Sequence, residues 1–309
     1  MFKRVMVAVV GIPFLLLVLI WAPEWCTLVL VAGMCAIGAW ELMHAVRGER
    51  GASLANPMVW APVLMALLVP VRLWGIHSRG ELLLFYLENP SEGMLENIPA
   101  VSQVGMDAMV RQFAELGLYV LVFLLVLFVC AILAYGKEKA VPFGDLTAAV
   151  FAGLVFPLML SCLLLLRLEE NGQALVFVPL CISFGSDTFA LFAGMLFGKH
   201  KLTPVSPKKT VEGAVGGLLG GVIGMLLFKL ISQAALDRVL VGWTGVLVFG
   251  LLGSVAGQIG DLSFSVIKRE FGVKDYGHLL PGHGGILDRF DSVTFVAPLV
   301  WLAMTLFRL

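Results

Sequence analysis

The chain has 309 residues, of which 60% are hydrophobic and only 14% are charged, and its mean hydropathy is +0.97. One soluble core could not bury so much apolar surface, so the composition predicts an all-α, polytopic integral membrane helix bundle. Lys+Arg and Asp+Glu number 21 each, which excludes the global basic field expected of a nucleic-acid-binding protein. The five cysteines lie in apolar runs without CxxC spacing, which argues against a disulfide framework and a zinc site.

Apolar stretches that are long enough to cross a bilayer recur along the chain. A spanning helix needs about 20 mostly apolar residues. We predict nine such helices, at residues 5–22, 25–46, 57–75, 116–136, 146–166, 174–197, 213–232, 239–262 and 292–308. The first is expected to be a mature helix, because Pro23-Glu24-Trp25 offers no small-residue cleavage site. The acidic segment near 77–115 is expected to form an external loop with room for short interfacial helices.

The basic residues favour one orientation of these helices. If the nine spans cross the membrane in alternating directions, 14 of the 21 Lys and Arg lie on the same side as the N-terminus and seven on the other side. Because positive residues accumulate on the cytoplasmic side, we expect a cytoplasmic N-terminus. The polar segments 198–212 and 261–291 are expected on that same side.

Acidic residues lie inside or at the ends of several apolar spans. An acid at the centre of a spanning helix costs about 2.5 to 3.5 kcal/mol on insertion scales. Asp187 lies within the sixth span, and Glu41, Asp145, Glu212 and Asp261 lie in the predicted cytoplasmic half of theirs. The sequence leaves two interpretations open. Either these acids form ion pairs with nearby lysines, or acids and lysines together hold metal ions and phosphates.

The stretch between the last two spans carries an ordered set of polar residues and glycines. Its pattern is Ser265-x-Ile267-Lys268-Arg269-x4-Lys274-Asp275-x-Gly277-x2-Leu280-Pro281-x-His283-Gly284-Gly285-Ile286-x-Asp288-Arg289-Phe290-Asp291. This pattern resembles the signature of the phosphatidate cytidylyltransferase family, also called CDP-diacylglycerol synthases, at every fixed position. The segment from Ser186-Asp187-Thr188 to Glu212-Gly213 is similar to the upstream region of that family, except at Met195, where many members carry a basic residue. The resemblance covers roughly residues 180–300.

The resemblance implies an enzyme, a nucleotidyltransferase that moves the cytidylyl group of CTP to phosphatidic acid. The products would be CDP-diacylglycerol, for phospholipid synthesis, and pyrophosphate. The implied partners are CTP, phosphatidic acid and the lipid bilayer, with no nucleic acid, and we also expect a homodimer. The protein is expected in the cell membrane, multi-pass, with its active site on the cytoplasmic side. We expect a single transmembrane domain over 1–309, with N-terminal helices in 1–136 and the catalytic helices and cytoplasmic loops in 174–309.

The spacing of the acids predicts where a metal would bind. If the eighth span continues helically, Asp261, Ser265 and Lys268 follow i, i+4, i+7 and share one face. Asp288 and Asp291, at i and i+3, point the same way. Magnesium prefers hard oxygen ligands together with substrate phosphates. Asp261 and Asp288 are therefore the expected metal pair, with Asp291 as a third ligand and a second cation left open.

The other polar residues are assigned to phosphate chemistry. Besides Asp261 and Asp288, the expected catalytic residues are cations that neutralise triphosphate and pyrophosphate, namely Lys268, Arg269 and Arg289. The expected substrate-binding residues are Asp187, Ser206, Lys208, Lys209, Ser265, Lys274, His283, Gly284 and Gly285. Lys208 and Lys209 are expected at the lipid headgroup, and Gly284-Gly285 brings backbone N–H groups close to an anion. His283 either binds a phosphate or only fixes the Gly-Gly turn.

Three other functions were compared with this one. A cation- or proton-coupled transporter would account for Asp187 and the proline-bent spans, but it predicts internal repeats that the sequence lacks. A CDP-alcohol phosphotransferase has an acidic motif that begins with Asp-Gly, and this chain contains no such dipeptide. A sister cytidylyltransferase that acts on a different lipid phosphate remains open.

Overall fold

The protein is built from helices throughout the part of the chain that its structure, a computed structural model, describes: residues 11, 13–48, 56–88, 98–136, 140–277, 279 and 284–307. Residues 13–20 are helical. They are followed by α1 (Glu24–Arg47), α2 (Pro57–Glu88), α3 (Ile98–Ala134), α4 (Phe143–Val150), a π-helical segment (Phe151–Val155), α5 (Phe156–Leu168), α6 (Gly172–Leu175), α7 (Phe177–Phe197), α8 (Val211–Leu236), α9 (Trp243–Glu270) and α10 (Leu287–Phe307). The all-α prediction is confirmed.

Eight helical stretches among the described residues are long and apolar enough to cross a membrane. They are Glu24–Arg47, Pro57–Gly80, Met106–Ala134, Phe143–Leu168, Gly172–Phe197, Val211–Leu236, Trp243–Glu270 and Leu287–Phe307. They correspond to the second to ninth predicted spans, which confirms a polytopic membrane protein. The first predicted span, 5–22, lies partly outside the described residues. The orientation of the N-terminus stays a prediction.

In the segment predicted as an external loop, 77–115, the described residues 77–88 and 98–115 are helical. Helix α2 continues to Glu88, and α3 already begins at Ile98. With 32 and 37 residues at about 1.5 Å per residue, both helices are longer than a hydrocarbon core of about 30 Å requires. Hydropathy located the apolar part of each helix and missed its polar continuation.

The chain packs as two compact units. The first unit comprises Met1–Thr27 and Cys162–Leu309, and the second comprises Leu28–Ser161. This division describes how residues pack and does not test the prediction of a single transmembrane domain.

In the first unit, small residues let α7, α8 and α9 approach closely. A β-carbon added to Gly221 on α8 would lie 2.6 Å from the carbonyl oxygen of Gly250 on α9. Ser254 on α9 donates to the carbonyl of Gly217 at 2.8 Å, and its hydroxyl lies 2.7 Å from that of Ser186 on α7. Glycines along α8 leave room for such contacts with the neighbouring helices. Close packing brings the polar ends of these helices together.

The second unit contains a sealed ion pair. The Arg47 guanidinium, at the end of α1, donates to the Asp145 carboxylate in α4 at 3.0 Å. The exposed fractions of the two side chains are 2% and 3%. Asp145 is thus paired with a cation, although the partner is an arginine and not one of the lysines that the first interpretation named. Glu41, in the same unit, is also fully buried.

Candidate active site

Asp261 and Lys209 form the first ion pair of the site. Helix α9 continues past Asp261 to Glu270, beyond the predicted end at 262, so that Asp261 and Ser265 share one face. The Ser265 hydroxyl lies 3.5 Å from one Asp261 oxygen, and the Lys209 ammonium binds the other. The exposed fractions of the Lys209 and Asp261 side chains are 29% and 25%, so this pair is open at the protein surface.

Asp288 connects the end of α9, the following loop and the start of α10. The Lys268 ammonium donates to one carboxylate oxygen at 3.0 Å. The other oxygen accepts from the backbone amides of Tyr276 at 2.9 Å and Gly285 at 3.0 Å. The exposed fractions are 12% for Lys268 and 4% for Asp288. The anion that Gly285 binds in this structure is therefore the protein's own carboxylate.

Two glycines shape the loop around Asp288. Gly272 ends α9 with a φ of +69°, and Gly284 has a φ of +87°, a region that residues with a β-carbon rarely adopt. A β-carbon at Gly284 would also lie 2.9 Å from a carboxylate oxygen of Asp288. Lys274 lies exposed in the same loop, and His283 falls outside the described residues.

Tyr276 is a site residue that the sequence reasoning missed. Its hydroxyl donates to the Phe264 carbonyl at 2.8 Å, and its ring centroid lies 5.3 Å from the Lys268 ammonium. Burial, followed by the charges of Asp288 and Asp291, raises the pKa of Tyr276 above its usual value, so the hydroxyl stays protonated. The available signal was the one tyrosine of the polar stretch 261–291.

Two further acids, from α7 and α10, join Asp261. The Ser292 hydroxyl donates to Asp187 at 3.4 Å, while the Ser292 amide donates to Asp291 at 2.8 Å. Asp187 and Asp291 each interact electrostatically with Asp261, and Lys209 attracts Asp187. Of the acids predicted to gather, Asp187 and Asp261 thus interact, and Asp291 joins them. Glu212 binds the Lys199 and His200 amides instead, and Glu41 and Asp145 belong to the other unit.

The segment between α7 and α8, residues 199–210, forms a short hairpin. Lys201 and Thr210 form an antiparallel bridge, and the Leu202 amide donates to the Lys209 carbonyl at 3.0 Å. The Thr210 hydroxyl caps α8 by accepting from the Gly213 amide at 3.1 Å. This hairpin, called the 199–210 hairpin below, carries Lys209 to Asp261.

The remaining predicted residues take different positions around these pairs. Arg269 donates to the Val205 carbonyl at 3.3 Å and to the Val273 carbonyl at 3.4 Å. Arg289 is exposed and attracts Asp187 electrostatically. Lys208 and Ser206 lie in the hairpin, where Lys208 is exposed and the Ser206 carbonyl accepts from the Lys209 amide at 3.0 Å.

Comparison with known proteins identifies the family. The sequence model of the Cytidylyltransferase family matches residues 2–307. The chain belongs to this family. Similar family members are each named phosphatidate cytidylyltransferase. Identity is 38% over 161 residues to the protein of Bacillus subtilis, covering 52% of this chain and 57% of that one. The identity to the protein of Staphylococcus saprophyticus is 47% over 133 residues, which cover 43% of this chain and 49% of that one. The identity to the protein of Mycobacterium bovis is 38% over 167 residues, which cover 53% of this chain and 52% of that one. This cytidylyltransferase-family chain thus spans about half the length of the curated relatives it matches.

The donor chemistry of this cytidylyltransferase-family site is compatible with magnesium. Among the described residues, no group of three or more His, Cys, Asp and Glu side chains is arranged to hold a metal ion. Magnesium, however, is commonly bound by one or two carboxylates, with waters and substrate phosphates as the other ligands. Asp261 and Asp288 offer such oxygens, and each already binds a lysine that a phosphate group could attract instead.

Proposed function

We propose that this protein is a phosphatidate cytidylyltransferase, which transfers the cytidylyl group of CTP to phosphatidic acid. One observation carries the proposal: Asp187, Asp261 and Asp291 gather with Lys209 and Lys268 in one unit of a membrane protein. Such a mixture of acids and cations suits two polyanionic substrates and a divalent cation. The printed names of the relatives and the signature over 265–291 support the same reaction.

In this reaction an oxygen of the phosphatidic acid phosphate attacks the α-phosphorus of CTP. The bond from that phosphorus to the oxygen bridging the β-phosphorus breaks, and pyrophosphate leaves with the electron pair. The nucleophile is already an anion, so the reaction requires no general base. The protein has to position the two substrates and neutralise charge where it develops.

Lysine and arginine side chains supply the positive charge. Lys268, Arg269 and Arg289 neutralise the triphosphate and the departing pyrophosphate, since guanidinium groups can bind two oxygens at once. Lys209, with Lys208 beside it, binds the phosphate of the lipid. Because Lys209 and Lys268 are paired with carboxylates in this structure, the substrates compete with Asp261 and Asp288 for these two cations.

Magnesium is the proposed cofactor, with a second cation left open. Asp261 and Asp288 would hold it, with Asp291 close by. A bound magnesium ion would withdraw charge from the phosphoryl oxygens of CTP. The transfer of Lys209 and Lys268 from carboxylate to phosphate frees oxygens of Asp261 and Asp288 as the substrates arrive.

The apolar helices and the distribution of basic residues support a proposal for the location. We propose the cell membrane, with the site on the cytoplasmic side, where 14 of the 21 Lys and Arg are expected and where CTP is available. A homodimer stays a prediction.

The test is a pyrophosphate-release assay on purified protein with CTP, magnesium and vesicles that contain phosphatidic acid. We expect pyrophosphate and a CDP-lipid in equal amounts. Asp288→Asn keeps the size of the side chain and removes its charge, and we expect at least about a hundredfold loss of activity, as for other charge-stabilising groups. Wild-type protein that releases no pyrophosphate would contradict the proposal.

Two controls sharpen this assay. Glu170→Gln removes the charge of an exposed carboxylate in the same unit and is expected to leave the rate unchanged. Other lipid phosphates offered in place of phosphatidic acid test for a sister enzyme, because such an enzyme would prefer a different acceptor. Undiminished activity of Asp288→Asn would remove Asp288 from the catalytic machinery.

A further inference from the structure

Glu212, in the first turn of α8, binds the first two residues of the 199–210 hairpin. Its carboxylate accepts from the Lys199 amide at 3.1 Å and from the His200 amide at 3.3 Å. It also lies 2.7 Å from the His200 ring nitrogen Nδ1. A single side chain therefore binds three groups of the strand that leaves α7.

The strand held by Glu212 is the one that pairs with the residues around Lys209. The His200 carbonyl accepts from the Val211 amide at 3.0 Å, and the Leu202 amide donates to the Lys209 carbonyl at the same distance. When Glu212 fixes Lys199 and His200, it thereby fixes the partner strand of Lys209. The position of the Lys209 backbone is therefore fixed independently of the contact between its side chain and Asp261.

The tip of the hairpin has a second attachment, on α9. Arg269 donates to the Val205 carbonyl at 3.3 Å, one turn of helix beyond Ser265. The hairpin is thus held at its base by Glu212 and at its tip by Arg269. Lys209 lies between these two attachments, opposite Asp261.

A simpler role for Glu212 is local. A carboxylate in the first turn of a helix is stabilised by the helix dipole without any other partner. This role needs no contact with Lys199 or His200, whereas the observed carboxylate binds both of their amides. The contacts connect two different helices through the hairpin, so the effect of Glu212 extends beyond its own helix.

We propose that Glu212 is a positioning residue, which fixes the 199–210 hairpin so that Lys209 stays opposite Asp261. The inference rests on the proposed function, in which Lys209 binds the lipid phosphate. Glu212 itself touches neither substrate. Its contribution to the reaction passes through Lys209.

A double-mutant cycle tests this route. Glu212→Ala is expected to lower kcat/KM for phosphatidic acid about tenfold when Lys209 is present, as for directly coupled residues. In protein that already carries Lys209→Ala, the same change is expected to have less than about a twofold effect. Equal losses in the two backgrounds would overturn the proposal, because a purely structural residue costs the same in both.

A conservative variant and an assay independent of activity complete the test. The amide oxygen of Glu212→Gln can still accept from Lys199 and His200, so this variant is expected to recover most of the activity. Hydrogen exchange at the Leu202 and Val211 amides should be faster in Glu212→Ala and unchanged in Glu212→Gln. Unchanged exchange in Glu212→Ala would refute the proposal. If wild-type protein released no pyrophosphate, the enzymatic function would fail, while the exchange result would still decide whether Glu212 holds the hairpin.

Discussion

Each unit of the protein contains ion pairs, but the pairs differ in how much of their side chains is exposed to solvent. In the second unit, Arg47 and Asp145 are 2% and 3% exposed. In the first unit, Lys209 and Asp261 are 29% and 25% exposed, and Lys268–Asp288 is intermediate, at 12% and 4%. The same chemistry is thus sealed at Arg47–Asp145 and accessible at Lys209–Asp261. The second unit also has an open pair, since the side chains of Arg72 and Glu115 are 30% and 50% exposed.

Accessibility decides what such a pair can do. A sealed pair cannot exchange its partners, so its charges contribute to folding and little else. An open pair is screened by solvent and contributes little stability, but a phosphate can replace its carboxylate. The proposed mechanism gives a ligand-binding role to Lys209–Asp261, which is both accessible and close to Asp187 and Asp291, and it gives a structural role to Arg47–Asp145.

The largest effect is expected at the sealed pair. Arg47→Ala takes the cation away from a buried carboxylate, which typically costs about 3 kcal/mol or more of folding free energy. Unfolding in detergent, followed by circular dichroism or a thermal-shift assay, measures this loss. Catalysis per folded molecule is expected to stay at the wild-type level.

The matched control replaces both members of that pair. In Arg47→Met combined with Asp145→Leu, most of the stability should return, because apolar residues of similar volume often replace a buried ion pair without net cost. A double variant as unstable as Arg47→Ala would show that these two charges make stabilising contacts with other groups as well as with each other. Loss of catalysis in the folded double variant would break the proposed division of roles.

A smaller, kinetic effect is expected at the intermediate pair. Lys268→Ala removes the cation that donates to Asp288 and that the proposed mechanism gives to the triphosphate. The KM for CTP should rise about tenfold, corresponding to about 1.4 kcal/mol, as for the loss of one charged hydrogen bond. Steady-state kinetics at varied CTP measure this change. The loss of stability should be smaller than for Arg47→Ala, and the reverse order would contradict the comparison.

The smallest effect is expected at Ser265. Its hydroxyl lies 3.5 Å from Asp261, at the limit of a hydrogen bond. Ser265→Ala should lower the rate by no more than about twofold to threefold, as for the loss of a weak neutral donor. The pyrophosphate assay measures it, and a loss as large as that of Lys268→Ala would mean that Ser265 contacts a substrate directly.

The sequence predicted features that depend on local spacing. The i, i+4 relation of Asp261 and Ser265 held because α9 continues to Glu270. Gly272, with its positive φ, follows the end of that helix. The apolar spans were located because about 20 apolar residues in a row have few alternatives to a membrane helix. The Gly284-Gly285 amides were predicted to approach an anion, and in the structure the anion at the Gly285 amide is Asp288, in the first turn of α10.

Pairings between distant residues were not predictable in this way. Arg47 and Asp145 are 98 positions apart, and Asp145 carries no local signal that selects its partner. Glu212 binds mainly backbone amides, which every residue possesses, so no residue pattern marks the contact. Tyr276 was missed because its role depends on a carbonyl of α9 that only the folded loop brings near.

The backbone conformation of Gly284 limits the missense mutations that the gene can accept at this codon. Every missense mutation of a glycine codon adds a β-carbon, and at this position that atom would meet both an unfavourable φ of +87° and the Asp288 carboxylate at 2.9 Å. The backbone would have to rotate, and the amide of Gly285 would turn away from the acid that it holds. Every amino-acid substitution at residue 284 is therefore expected to be harmful, although the residue has no side chain with which to take part in chemistry.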